Sequence, residues 1–171
     1  MIKVCETSLP RVLLIERRIS FDDRGFFTEE WNRDVYAENG INIQFKTDDF
    51  SRSKYNVLRG LHGDTKTWKL VSCTLGKLFL VVVNYDKDSP FFCRSENFIL
   101  TPENALQVLI PPMHINGHYV MSPEGGQFKY RQSEYYIGAE NQFSIRWNDP
   151  RFNIPWPFEG EPTLSDRDKK L

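Results

Sequence analysis

A chain of 171 residues is long enough to bury a core without disulfide or metal staples, and residues 1–171 read as a single domain. Its 22 basic and 23 acidic residues leave a formal net charge of −1, which excludes the basic excess of a nucleic-acid binder. Three cysteines (Cys5, Cys73, Cys93), an odd number without paired spacing, indicate buried thiols in a reducing compartment rather than a disulfide framework. No apolar run approaches the roughly 20 residues that span a bilayer. Met1-Ile2-Lys3-Val4 lacks the apolar segment of a signal peptide. The expectation is a cytoplasmic protein with neither nucleic acid nor membrane as partner.

Aromatic residues make up 14% of the chain and its apolar runs are short, which favours strands. In chain order, strands are expected at 12–15, 57–61, 69–74, 78–84, 98–100, 107–110, 118–121, 127–130 and 143–147. Turn signals separate them: Leu75-Gly76-Lys77, residues 86–90, Pro102-Glu103-Asn104 and Pro123-Glu124-Gly125-Gly126. One helix is expected at 29–38, stopped by Asn39-Gly40. Spacing this tight leaves no room for crossover helices between most neighbours, which argues against a parallel sheet. The fold expected is all-β, a jelly-roll sandwich in preference to an up-and-down barrel. The tail from Pro155 onward, rich in proline and charge, is open to two behaviours: fraying, or folding back over the barrel mouth.

Leu58-Arg59-Gly60-Leu61-His62 sets an imidazole, which titrates near neutral pH, three residues after a guanidinium. Asn148-Asp149-Pro150, Trp156-Pro157 and Leu164-Ser165-Asp166-Arg167-Asp168 follow near the end. Together these runs resemble the dTDP-4-dehydrorhamnose 3,5-epimerase family, from about Arg24 to Asp168. The resemblance implies a metal-free, cupin-type jelly roll in a strand-exchanged homodimer. It implies a substrate that is a nucleotide-diphosphate-linked 4-keto sugar, inverted at C3 or at C3 and C5, in deoxysugar or heptose synthesis for a surface polysaccharide.

A metal site is tested by the cupin motifs themselves. The first runs His-x-His, four residues, Glu, six residues, Gly; with His62 first and Gly76 last, the other ligand positions hold Asp64 and Lys69. In the second motif the expected histidine is Asn116. An ammonium has no lone pair to donate and repels a divalent ion, so no metal and no other cofactor is expected. His114 and His118 are four apart, but in a stretch read as loop into strand they share no helical face.

Inversion beside a ketone needs a base on one face of the sugar, an acid on the other, and a group to hold the enolate oxygen. His62, at the end of the 57–61 strand, suits the base. The resemblance gives it Asp168 as carboxylate partner, although in sequence Asp168 is an ordinary tail charge. Tyr130, in Phe128-Lys129-Tyr130-Arg131-Gln132-Ser133-Glu134-Tyr135-Tyr136, matches the family tyrosine and is the expected acid; Tyr136 is expected to line the sugar pocket. Lys69 is assigned to the enolate oxygen. Strand alternation alone leaves its direction open, and the cupin register points it inward.

Asp23-Arg24-Gly25-Phe26-Phe27-Thr28-Glu29 resembles the family run whose arginine grips the diphosphate, often from the neighbouring subunit. Arg24 and Arg59 are therefore expected on the diphosphate, where a guanidinium fork fits phosphate oxygens, and Glu29 on the base or ribose. The chain departs from the family pattern at Thr47, Asp49, Asp64, Asn116 and His118, all expected around substrate. Leu61-His62-Gly63-Asp64 and Thr67-Trp68-Lys69 look closer to relatives that act on GDP-linked 4-keto heptoses. Other readings are a 3,4-ketoisomerase on the same barrel, a non-catalytic sugar-nucleotide binder and, disfavoured by Lys69 and Asn116, a metal-dependent dioxygenase.

Overall fold

A computed structural model describes residues 1–158 and 160–171. In chain order the strands are β1 (Ile2–Glu6), β2 (Leu13–Arg17), β3 (Ile19–Asp22), β4 (Gly25–Thr28), then helix α1 (Arg33–Glu38), β5 (Thr47–Ser53), β6 (Leu58–Gly63) and β7 (Lys69–Leu75). β8 (Leu78–Asn84), β9 (Ser95–Leu100), β10 (Leu106–Ile110), β11 (His114–Val120), β12 (Gly126–Gln132) and β13 (Phe143–Ser144) complete the set. Six strands form one sheet in the order β1-β2-β10-β7-β12-β5; five form another, β13-β6-β11-β8-β9; β3 and β4 pair only with each other. Every ladder within these sheets is antiparallel, as in a jelly-roll sandwich.

β8 shows how the layers are built. Its residues Leu-Phe-Leu-Val-Val-Val-Asn are buried throughout, because both faces of the strand are covered. Leu78, Leu80 and Val82 point between the sheets onto Val71, Cys73, Val108 and Phe128. Phe79, Val81 and Val83 point the other way, onto an outer layer supplied by the chain after β13: Trp147, Ile154, Trp156, Phe158 and Leu164. On the far side of the six-stranded sheet, Ile15, Leu70 and Leu109 are covered by Trp31, Tyr36 and Ile41. The tail therefore folds back rather than frays: Trp156, Phe158 and Leu164 pack on this outer face, and only Ser165, Arg167 and Asp168 reach the space between the sheets.

Several expected elements are corrected. Helix α1 starts at Arg33, capped by Asn32, rather than at residue 29. The cause is Glu30, whose carboxylate is drawn into the sheet by Arg17 and Ser72 and whose carbonyl accepts from Gln107, so this stretch is tied to strands. Asn39 does close the helix and Gly40 follows at φ 84°, a left-handed conformation that glycine adopts without strain. β1, the β3–β4 hairpin and β5 were not anticipated, since Thr-Asp-Asp-Phe-Ser-Arg-Ser carries too little apolar alternation to read as a strand. β11 begins at His114, so His114 and His118 share one buried strand rather than a loop. β13 keeps two of the five residues expected at 143–147, because the chain leaves the sheet there to cross its outer face. The three cysteines are free thiols. Among the described residues no helix is long and apolar enough to cross a membrane.

Leu80 is fully buried between the sheets. Leu80→Ala is expected to lower unfolding stability by about 2–5 kcal/mol, measured by urea denaturation; a loss below about 1 kcal/mol would show that the inter-sheet core is not the main packing layer.

Candidate active site

A cavity of about 650 Å³ opens between the two sheets. The six-stranded sheet lines one wall with Asp49 and Ser51 of β5, Lys69 of β7, and Phe128, Tyr130 and Gln132 of β12. The five-stranded sheet lines the other with Arg59 and His62 of β6 and Asn116 and His118 of β11. Tyr136 and Gln142 come from the connection after β12, and Ser165, Arg167 and Asp168 from the tail.

A regular strand cannot aim residues three apart at one side, yet Arg59 and His62 both face the cavity. A bulge resolves this. Arg59 pairs with His118 and His62 with Asn116, so Gly60 and Leu61 lie opposite Gly117 alone. Gly60 has φ 129°, and a Cβ there would stand 2.5 Å from the Gly117 Cα. Two glycines thus permit the close approach that turns the guanidinium and the imidazole to the same side.

The His62 Nε2–H donates to Asp168 Oδ1 at 2.6 Å. Asp168 is only 5% exposed, at the start of a 3₁₀ turn (Asp168–Lys170), and its Oδ2 also faces the Gly60 N–H at 3.5 Å. Burial pushes this carboxyl up, but the His62 hydrogen bond and charge, with Ser165 and Gly60, more than offset it and hold it below the usual carboxylate range. An ionised Asp168 accepts and cannot donate, so it keeps the proton on Nε2 and leaves the lone pair on Nδ1. That is the arrangement of a base.

Tyr130 stands on the opposite wall, half-buried, with Asp49 its direct cross-strand partner. Burial and the Asp49 charge push its phenol up, against Arg59, which keeps it a proton-bearing acid near neutral pH. Lys69 is 9% exposed, and its Nζ donates to Asn116 Oδ1 of the facing sheet at 3.0 Å. Burial, with the Arg167 charge opposing Asp64, brings its ammonium down to about 8, so it stays charged at neutral pH. His118 stacks on Phe128 at 4.2 Å. Burial, then Arg59 and His62, lower it to about 3, so this imidazole is neutral. Arg59 is held by Ser53, and Arg167 by Gln142 and Ser144.

Of the residues singled out in the sequence, His62, Asp168, Tyr130, Lys69, Arg59, Asp49, Asn116, His118 and Tyr136 converge on this cavity. Four do not within one chain. Arg24 lies on the β3–β4 turn with its side chain 90% exposed, bonded to Asp22. Glu29 follows the hairpin and accepts from Asn32. Thr47 begins β5, its buried Oγ1 without a hydrogen-bond partner. Asp64 accepts from the Lys66 and Thr67 N–H groups, closing the turn after β6 beside a second cleft. Sequence reasoning missed Ser51, Phe128, Gln132, Gln142, Ser165 and Arg167 as lining residues. Counting by twos from Asp49 and Tyr130 would have reached the first three; Gln142 carried no signal. A divalent ion does not fit here, because an ammonium and an amide bonded to each other hold two of the cupin ligand positions.

The sequence profile described as dTDP-4-dehydrorhamnose 3,5-epimerase matches residues 6–171. The chain belongs to the dTDP-4-dehydrorhamnose 3,5-epimerase family. It is 39% identical to the dTDP-4-dehydrorhamnose 3,5-epimerase of Salmonella typhimurium, over 98% of this chain and 93% of the relative. It is 37% identical to that of Escherichia coli K12, over 98% and 92%. In three dimensions it is similar to the dTDP-6-deoxy-D-glucose-3,5-epimerase of Legionella pneumophila in complex with dTDP-4-keto-L-rhamnose, at a TM-score of 0.92 and 37% identity over 99% of this chain and 91% of that one. The Bacillus anthracis enzyme with TDP and pyrophosphate bound gives 0.92 and 35% over 100% and 98%.

Within this family fold, Lys69 is a charged group kept where stability would reject it. Its pKa near 8 lies below the ordinary lysine value of 10.5, so the folded state binds its proton less tightly than the unfolded chain and is penalised by up to about 3 kcal/mol at pH below 8. The penalty fades as pH rises from about 8 to 10.5. Lys69→Met is therefore expected to be more stable than the parent at pH 7, by an amount that shrinks towards pH 10, in denaturation curves taken at both. A variant less stable at pH 7 would contradict this.

Proposed function

We propose that the protein is an isomerase that inverts C3, or C3 and C5, of a nucleotide-diphosphate-linked 4-keto sugar through an enolate, as its relatives' names indicate, in deoxysugar biosynthesis. The observation that carries this reading is the pair of opposed walls. An imidazole oriented by a carboxylate stands on one sheet, a phenol stands on the other, and a buried ammonium lies between them.

His62 Nδ1 takes the proton from the carbon beside the ketone, and the ring becomes an imidazolium stabilised by Asp168. The electron pair moves onto the ketone oxygen, where the Lys69 ammonium meets the developing negative charge in a water-poor site. Tyr130 then gives its proton to the same carbon from the opposite face, which inverts the centre. Before the next turnover the imidazolium releases its proton to solvent and the Tyr130 phenolate takes one back, which restores both groups. Arg59 and Arg167 line the cavity with fixed positive charge suited to a diphosphate.

We extend the proposal to a homodimer. The β3–β4 hairpin joins neither sheet and exposes Phe21 (64%) and Phe27 (74%), while β5 ends the six-stranded sheet beside the cavity. A hairpin laid on the β5 edge of a second copy would cover both and carry Arg24 and Glu29 to that copy's diphosphate and nucleoside. Thr47 and Asp64 remain assigned to substrate on the same footing. The named relatives act on dTDP sugars, and the departures at Thr47, Asp49 and Asp64 are the reason to assay a GDP-linked 4-keto heptose beside dTDP-4-keto-6-deoxyglucose.

His62→Asn is expected to reduce turnover by about 10²–10⁴-fold with the fold retained; activity within tenfold of the parent would remove His62 as base. Proton NMR in D₂O separates the two protonic roles. Tyr130→Phe is expected to wash deuterium into C3 while forming little inverted product, and loss of exchange together with inversion would instead make the phenol the base.

A further inference from the structure

Lys69 projects from β7 of the six-stranded sheet, between cross-strand neighbours Ile110 and Gln132 that carry no charge. Its hydrogen-bond acceptor is Asn116, on β11 of the facing sheet and itself buried. The other groups bearing on it are Asp64 from the turn after β6, with Arg167 opposing it from the tail, and His62 and Asp168 on the same cavity. An ammonium has three N–H donors. The amide oxygen takes one and brings no charge, so two donors and the full positive charge remain for a ligand oxygen. Asn116 is also the direct cross-strand neighbour of His62. One residue thus joins the strand that carries the base to the side chain that faces the ketone.

We propose that Asn116 is a positioning residue, an uncharged anchor that fixes the Lys69 ammonium from the opposite sheet and leaves its charge free for the enolate oxygen. This rests on the reading of Lys69 given above. An amide suits the task better than either alternative. A carboxylate at 116 would make a buried ion pair and compete with the enolate for the same cation. An apolar residue would release a four-carbon stem to several rotamers and leave the ammonium without an acceptor.

The test uses the full chain with dTDP-4-keto-6-deoxyglucose, comparing Asn116→Ala, Asn116→Asp and Lys69→Met for kcat, KM and the alkaline limb of kcat. Each variant is first checked for a cooperative unfolding transition. Losing one hydrogen bond to a charged group corresponds to about a 10–100-fold loss of kcat, expected in Asn116→Ala. Asn116→Asp is also expected to lose kcat, because its carboxylate competes with the enolate for the ammonium, and in both KM is expected to change less than about threefold. The alkaline limb is expected to move to lower pH in Asn116→Ala, which removes an acceptor of the ammonium, and to higher pH in Asn116→Asp, which adds a negative charge beside it. Unchanged kcat, or a kcat loss with the limb unmoved in both variants, would overturn the role of Asn116. If Lys69→Met alone keeps parental kcat, the reading of Lys69 fails first; if it is inactive while the Asn116 variants match the parent, only the present inference fails.

Discussion

The hydrogen bond between His62 and Asp168 is the constraint around which the rest of the molecule is organised. Its partners are 106 residues apart, one inside a sheet and the other three residues from the last residue of the chain. A carboxylate on a loose tail would stay in water, since burying it costs several kcal/mol unless it is paired. The chain meets that cost with apolar packing elsewhere. Trp147, Trp156, Phe158 and Leu164 cover the outer face of the five-stranded sheet, and Thr163 ties the tail to the start of β6, its carbonyl accepting from the Leu58 N–H and its own N–H donating to the Asn56 carbonyl. Hydrophobic burial on the outside of the sandwich is what delivers one charge to its inside.

A sandwich suits an epimerase for a simple reason. Inversion needs proton acceptor and donor on opposite faces of one carbon, and two facing sheets offer two facing walls. The bulge at Gly60 and Gly117 turns Arg59 and His62 of one wall inward, while unbroken alternation on β12 presents Phe128, Tyr130 and Gln132 from the other. Between the walls, Lys69 occupies the place a metal-binding cupin would give to a ligand. It carries a positive charge into a buried site at the expense of stability, a trade that a purely structural core would not make.

The sandwich was legible because its strands are short, apolar and punctuated by Gly and Pro turns; β8 in particular spans the residues expected of it. What escaped was polar. β5 and the β3–β4 hairpin have little apolar alternation, so their strand character comes from register with neighbours and not from local pattern. Helix α1 was overextended because its acidic start looked helical, whereas Glu30 is claimed by a buried arginine. Within the site, His62, Lys69 and Tyr130 could be named from motif and register, but Asp168 reads as a solvated tail charge unless the family pattern is applied. Arg24 and Glu29 show the opposite limit: their motif is plain in the sequence, and one chain does not bring them to the cavity.

The most direct test of this account is the tautomer of His62, read from nitrogen chemical shifts of selectively ¹⁵N-histidine-labelled protein in long-range ¹H–¹⁵N correlation spectra. The neutral ring is expected to carry its proton on Nε2, facing Asp168, with an unprotonated Nδ1 on the cavity, and Asp168→Ala is expected to let the other tautomer appear. A neutral His62 protonated on Nδ1 in the parent protein would leave no lone pair facing the substrate and would contradict the assignment of this imidazole as the base.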